Sequence, residues 1–173
     1  MGTVGLAITA EPIPLTLSTD FQDLYQRFSA TVYRTALRVT GNPSDAEDVM
    51  QTVFLRVLHS PGDGLDAAQA PERYLRRAAT NAAIDVLRKR TTRAESPLDT
   101  GPERAGPEST VLLKERVRRA LAELPPQDAE MFTLRNLEGL SYLELAEHLG
   151  VERGTVASRL HRVRETLKDL ISR

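Results

Sequence analysis

The chain has 173 residues, 40% hydrophobic and 27% charged, with 23 Lys and Arg against 24 Asp and Glu, a balance ordinary for a folded protein, and its Ala, Leu, Glu and Arg favour helices. It contains no cysteine, which rules out disulfides and thiolate metal sites and fits a reducing, cytoplasmic setting. No window approaches the roughly 18 uninterrupted apolar residues of a spanning helix, so no membrane insertion is expected.

Residues 1–18 are mildly apolar, lack a basic leader and contain Pro12 and Pro14, so they read as a flexible N-terminal arm rather than a signal peptide. From Thr19 or Asp20, either of which can cap a helix, Phe21, Leu24, Tyr25, Phe28, Val32, Ala36 and Leu37 recur at three and four until Gly41. Asn42 and Pro43 then supply a cap and a first-turn proline for a second helix, with Ala46, Val49, Met50, Val53, Phe54 and Val57 as its inner stripe. Gly62 and Gly64 mark a loop. A third helix is predicted from near Pro71 to about Arg90, burying Leu75, Ala78, Ala79, Ala82 and Val86. Periodicity then lapses into a segment with Pro97, Pro102, Pro107, Gly101 and Gly106, which reads as a linker over 93–109.

Beyond it, Leu113, Val117, Leu121 and Leu124 form one side of a helix that Pro125 and Pro126 terminate. Another helix runs to Leu137, with Gly139 as its cap. Ser141 to Glu144 reads as a capping box opening a short helix that ends at Gly150. A longer helix starts near Gly154 and Thr155, with Val156, Leu160, Val163, Leu167 and Leu170 inward. The expected fold class is all-α: two small helical domains, 19–92 and 110–173, that move as separate bodies unless a partner fixes them.

Charge is segregated along this frame. Residues 72–93 hold seven basic side chains against two acidic ones, and residues 153–173 hold six against two, local patches of the kind that bind nucleic acid or simply face solvent. A short helix, a glycine turn and a longer basic helix make a helix-turn-helix pattern. Its second helix directs Thr155, Ser158, Arg159, His161, Arg162 and Glu165 outward, where they can enter a major groove. On the third helix Arg73, Arg77, Thr80, Asn81 and Arg88 are predicted outside, with Tyr74 and Arg76 at the edges. These offer cations for phosphates, an amide for a base edge and an aromatic for stacking. The second helix exposes Asp48, Gln51, Thr52 and Leu55, a face that fits a solvated surface and a protein-docking surface equally. His59, His148 and His161 are scattered, and no nucleophile with a base, no metal-ligand spacing and no phosphate-cradling glycine loop is present. The residues therefore indicate no enzyme, no cofactor and no metal.

Three runs together resemble a known family: Asp45 to Leu55 (DAEDVMQTVFL), Tyr74 to Arg76 with Asn81 to Arg88 (NAAIDVLR), and Leu124 to Pro126 leading to Gly139 to Tyr142 and Gly154 to Leu160 (GTVASRL). In order and separation they are similar to extracytoplasmic-function sigma factors of the sigma-70 family. The resemblance implies a transcription initiation factor that binds core RNA polymerase, directs it to specific promoters and assists strand opening. The first domain would be sigma region 2 and the second sigma region 4. Asp48, Gln51, Phe54 and Leu55 would dock on the β′ clamp helices. Tyr74, Arg76, Arg77, Asn81 and Arg88 would engage the -10 element, with Asn81 at a flipped-out base and Tyr74 in the place of a frequent Trp. The C-terminal domain would bind the β flap and read the -35 element through Ser158, His161 and Arg162, with Arg153, Thr155 and Arg159 on phosphates. An anti-sigma factor is the further partner the resemblance implies. The sequence departs from the pattern at Thr52, where the family usually has Glu, at Ala157, where it usually has Lys or Arg, and in lacking any aromatic between Phe54 and Tyr74. The alternative is a helix-turn-helix regulator that binds operator DNA without joining the polymerase; the acidic second helix and the Asn81 segment argue against it.

Overall fold

A computed structural model of the chain describes residues 19–59, 71–94 and 108–172. The expected N-terminal arm, the loop with Gly62 and Gly64, most of the expected linker and Arg173 lie outside those residues. Seven helices follow in order among the described residues: α1 (Thr19–Thr40), α2 (Pro43–His59), α3 (Pro71–Ala94), α4 (Glu108–Glu123), α5 (Pro126–Asn136), α6 (Tyr142–Leu149) and α7 (Arg153–Ser172).

Local chemistry sets the joints. Gly41, at φ 66, turns the chain out of α1 while its N–H still donates to the Leu37 carbonyl at 2.8 Å. The Asn42 side-chain oxygen accepts the Ser44 and Asp45 N–H groups at 2.8 and 3.3 Å, capping α2 just ahead of Pro43. Pro125 and Pro126 break the chain between α4 and α5, with a proline in the first turn of the new helix where its missing N–H costs nothing.

Two apolar clusters hold the molecule. The smaller lies between α5 and the helix-turn-helix: Met131 and Leu134 of α5, Leu145 and Ala146 of α6, and Val156 and Leu160 of α7. The larger starts from the expected core of α1 to α3, with Val32, Ala36, Val49, Val53, Phe54, Leu75 and Ala79. It continues without a break into Ala120 and Leu121 of α4, Leu124, Ala129 of α5, and Val163 and Leu167 of α7. The inner stripe of α7 is thus shared: its first half seals the helix-turn-helix and its second half joins the larger core.

The two helical groups, expected to move separately, are packed together. Helix α3 is the centre of that packing, touching α1, α2, α4 and α5, and this explains its departures from expectation. Ala83, Ile84 and Leu87 are buried besides the predicted Leu75, Ala79 and Ala82, while Ala78 and Val86 are only partly covered. A helix enclosed on several sides has no single apolar stripe to read. In α4 the inward side starts later than predicted: Leu113 is exposed with Val111 and Leu112, and burial begins with Val117, Ala120 and Leu121.

Candidate nucleic-acid interface

The helix-turn-helix is built as its residue types require. The Ser141 hydroxyl accepts the Glu144 N–H at 3.2 Å, and the Glu144 carboxylate accepts the Ser141 N–H at 2.7 Å. That reciprocal pair lowers the Glu144 carboxyl below its ordinary range, chiefly through the backbone hydrogen bond and then through the hydroxyl. Gly150 closes α6 at φ 64, a left-handed turn that a β-carbon would strain. Leu145, Ala146, Val156 and Leu160 then fix the crossing of α6 and α7.

The outer face of α7 is open. Arg153, Thr155, Ser158, His161 and Arg162 are exposed, with the Ser158 hydroxyl donating back to the Thr155 carbonyl at 3.0 Å. Arg159, which the resemblance places on a phosphate, has partners within the chain. It is half-buried, donates to the Gln127 side-chain oxygen at 3.1 Å and lies 3.4 Å from the Asp128 carboxylate, so it braces α7 against the start of α5.

On α2, Asp48, Gln51, Thr52 and Leu55 are all exposed, Leu55 by 53%. Phe54, predicted both as core and as a docking residue, is 3% exposed. Its ring meets Phe21 and Tyr25 edge-on at 6.2 and 4.8 Å between centroids. Phe54 therefore belongs to the core and fixes α2 against α1; the exposed face itself is Asp48, Gln51 and Leu55.

The α3 face is present but covered. Arg73 and Arg77 are exposed in part, Arg76 and Asn81 are half-buried, Tyr74 packs on the larger core and Thr80 is fully buried. What covers them is the C-terminal half. Arg77 Nε lies 2.6 Å from the Glu130 carboxylate of α5, Arg76 lies 3.9 Å from Glu138 in the α5–α6 turn, and Arg73 lies 4.0 Å from Glu147 of α6. Arg88 donates to the carbonyls of Ala122 and Leu124 at 3.3 and 3.0 Å. Glu138 also takes Arg38 at 3.1 Å and the Thr35 hydroxyl at 3.1 Å. His148 sits in this seam with its side chain 6% exposed and its Nε2 3.9 Å from Glu130. Burial first, then the Arg77 and Arg73 cations, push its imidazole down to about 4.

Sequence reasoning missed Glu130, Glu138, Glu147 and His148. The partners lie far apart in the chain, 103 residues for Thr35 and Glu138, and no local period reports them. One local signal exists: Glu130 falls among Ala129, Met131, Thr133 and Leu134 on the buried side of α5, and a carboxylate on such a face needs a cationic partner. Among the described residues no group of three or more metal-binding side chains is found, and no helix is long and apolar enough to cross a membrane.

The described residues form an all-helical protein in which α6 and α7 make a helix-turn-helix whose exposed face has the residue types that enter a DNA groove. Comparisons with known proteins carry this further. Residues 24–93 match the family described as Sigma-70 region 2, and residues 114–167 match Sigma-70, region 4. The chain is 34% identical over 163 residues to the ECF RNA polymerase sigma factor SigE of Mycolicibacterium smegmatis, covering 88% of this chain and 62% of that protein. It is 32% identical over 156 residues to SigL of Mycobacterium tuberculosis, covering 85% and 88%. It is 29% identical over 167 residues to SigW of Bacillus subtilis, covering 86% and 87%. In fold it is similar to the sigma factor RpoE in complex with the anti-sigma factor NepR from Bartonella quintana, with a TM-score of 0.52 and 20% identity over 90% of this chain and 98% of that one. A similar likeness holds to CnrH in complex with the cytosolic domain of CnrY, with a TM-score of 0.52 and 24% identity over 88% and 87%. The chain belongs to the extracytoplasmic-function RNA polymerase sigma factors, the transcription initiation factors that carry sigma-70 regions 2 and 4.

Proposed function

We propose that this chain binds core RNA polymerase, brings it to a particular set of promoters and helps open the -10 element, while the polymerase performs all the chemistry. The polymerase-facing surface on α2 is Asp48, Gln51 and Leu55, an exposed apolar side chain framed by polar ones. The -35 element is read by Ser158, His161 and Arg162 from the exposed side of α7, with Arg153 and Thr155 on the flanking phosphates. The -10 element is met by Tyr74, Arg76, Arg77, Asn81 and Arg88 of α3 once the seam over them opens. Unstacking a base costs a few kcal/mol, and an amide at a flipped base together with cations on the strand offsets it.

The observation that carries this reading is that one chain holds both a region 2 match over 24–93 and a region 4 match over 114–167. An operator-binding regulator needs only the second. Two short elements bound by two small domains gain affinity when both are mounted on one large enzyme, through effective concentration. The expected setting is the cytoplasm. An anti-sigma factor is proposed as a further partner, because RpoE, which shares the fold, is seen bound to the anti-sigma factor NepR.

The test is run-off transcription with core polymerase on a panel of promoters. Initiation is expected only when this protein is added, and Asn81→Ala, or Ser158→Ala with Arg162→Ala, is expected to abolish it. Undiminished transcripts from those variants would remove the residue assignments.

A further inference from the structure

Helix α7 carries two kinds of arginine beside its groove-facing side. Arg153 and Arg162 are exposed, and neither side chain has an ion-pair or hydrogen-bond partner among the described residues. Arg159 lies between them along the helix and is half-buried. Its Nη2 donates to the Gln127 side-chain oxygen at 3.1 Å and stands 3.4 Å from the Asp128 carboxylate. A DNA phosphate would take this guanidinium only by displacing two acceptors already in place. The Asp128 charge also cancels the local attraction that would bring a phosphate there.

What the two acceptors hold is the rotation of α7 about its own axis. Val156 and Leu160 are fully buried and share a cluster with Met131, Leu134 and Leu145. Apolar burial is non-directional, so it sets how deeply the helix sits but only loosely its roll. A charge-assisted hydrogen bond is directional. Arg159 stands between exposed Ser158 and buried Leu160, where a tether to α5 opposes rolling. The other end of the tether is firm: the Asp128 and Ala129 N–H groups both donate to the Pro125 carbonyl at 3.0 Å, and Ala129 is fully buried. Rolling α7 would carry Ser158, His161 and Arg162 sideways across the base edges. Direct readout needs its groups held to about 0.5 Å or 10–20°, whereas a long cation on a phosphate follows small displacements.

We infer that Arg159 is a positioning residue, tied to Gln127 and Asp128 rather than to a phosphate, and that this brace determines how sharply α7 discriminates between duplex sequences without adding to its grip on the DNA backbone. This rests on the proposed reading of α7 as the helix that meets the -35 element. The two roles open to Arg159 differ in sign. A phosphate contact would be freed by removing its acceptors, so binding to any duplex would tighten. A brace would be lost by the same change, and only discrimination would fall.

The full wild-type chain is used to select duplexes from a pool with a randomised central stretch. The selected duplex and a scrambled one then serve as fluorescent probes for anisotropy titrations over a range of salt. Arg159→Ala, and Gln127→Ala with Asp128→Ala, are each expected to lower the ratio of selected to scrambled affinity by about threefold to tenfold, part of what one good base contact supplies. Combining all three substitutions is expected to give no further loss, as for members of one interaction. Affinity for the scrambled duplex and the slope of log K against log salt should stay as in the wild type. A slope shallower by about 0.9 in Arg159→Ala, the mark of one lost phosphate contact, would overturn the brace while leaving the -35 reading intact. Tighter binding to both duplexes on replacing Gln127 and Asp128 would do the same, as would an unchanged ratio in every variant. If the wild-type chain enriches no sequence, or Ser158→Ala with Arg162→Ala leaves the ratio unaltered, the reading of α7 fails and the positioning role falls with it.

Discussion

His148 offers a direct reading of how well the seam is packed. The folded protein holds this imidazole at about 4, well under its ordinary 6.5, first by burial and then by the Arg77 and Arg73 cations. The folded pKa is therefore lower than the unfolded one, so the contribution is complete above 6.5. As the pH falls from 6.5 toward 4, the unfolded chain takes up a proton that the folded one refuses, and stability drops by up to about 1.4 kcal/mol per pH unit. At about pH 5 the loss amounts to ~2 kcal/mol, and it levels off near 3 kcal/mol, on the order of magnitude, once the folded form is protonated too. With its side chain 6% exposed, solvent screening relieves little of this. The assay is urea unfolding of the wild type and His148→Gln at about pH 7 and about pH 5, where ~2 kcal/mol moves a midpoint by roughly 1 M. The variant carries the same other titrating groups, so the difference between the two pH dependences isolates His148. Equal losses in wild type and variant would refute the account of a buried, neutral imidazole.

Other outcomes follow from single contacts. Gly41→Ala places a β-carbon against the guanidinium of Arg118 at a backbone φ of +66; it is expected to cost ~1 to 3 kcal/mol, and Arg118→Ala in the same chain should recover only the steric part, leaving about 1 kcal/mol of backbone strain. Thermal unfolding measures both. Ser141→Ala removes one half of the capping box on an eight-residue helix, for a loss of ~1 kcal/mol in stability and a drop in duplex affinity of a -35 probe of a fewfold, read by anisotropy. Leu55→Asp, at a side chain 53% exposed, should leave the unfolding curve unchanged and weaken binding to core polymerase by about tenfold or more, as for an interface anchor.

Much of the frame was legible because its signals are local. Asn42 with Pro43, the Pro125 and Pro126 break, the Ser141 and Glu144 pair and Gly150 each act within a few residues, and the structure has all of them in the roles their chemistry dictates. The exposed faces of α2 and α7 followed from simple helical projection. Projection failed on α3, because it assumes one buried side and this helix is wrapped by four others. Thr80 was accordingly predicted outside and lies inside. Phe54 lies in the inner stripe by its period and is a docking residue only by the resemblance; packed edge-on with Phe21 and Tyr25, it is core, as the period has it. The carboxylates over Arg73, Arg76 and Arg77 were hidden for a further reason: their sequence separation carries no period, and charge tallies by segment say nothing about which segments touch. Expecting two separate bodies was reasonable from the Pro- and Gly-rich stretch between them, but α4 and the second half of α7 carry enough apolar surface to join the larger core.

Association with core RNA polymerase in the absence of DNA tests the central claim most directly. Purified protein and core enzyme, mixed at low and at moderate salt and resolved by size-exclusion chromatography, should co-elute as a stoichiometric complex that Leu55→Asp disrupts. Separate elution at every salt concentration, with no inhibitor protein present, would contradict the assignment of this chain as a polymerase subunit and leave only a helical DNA binder.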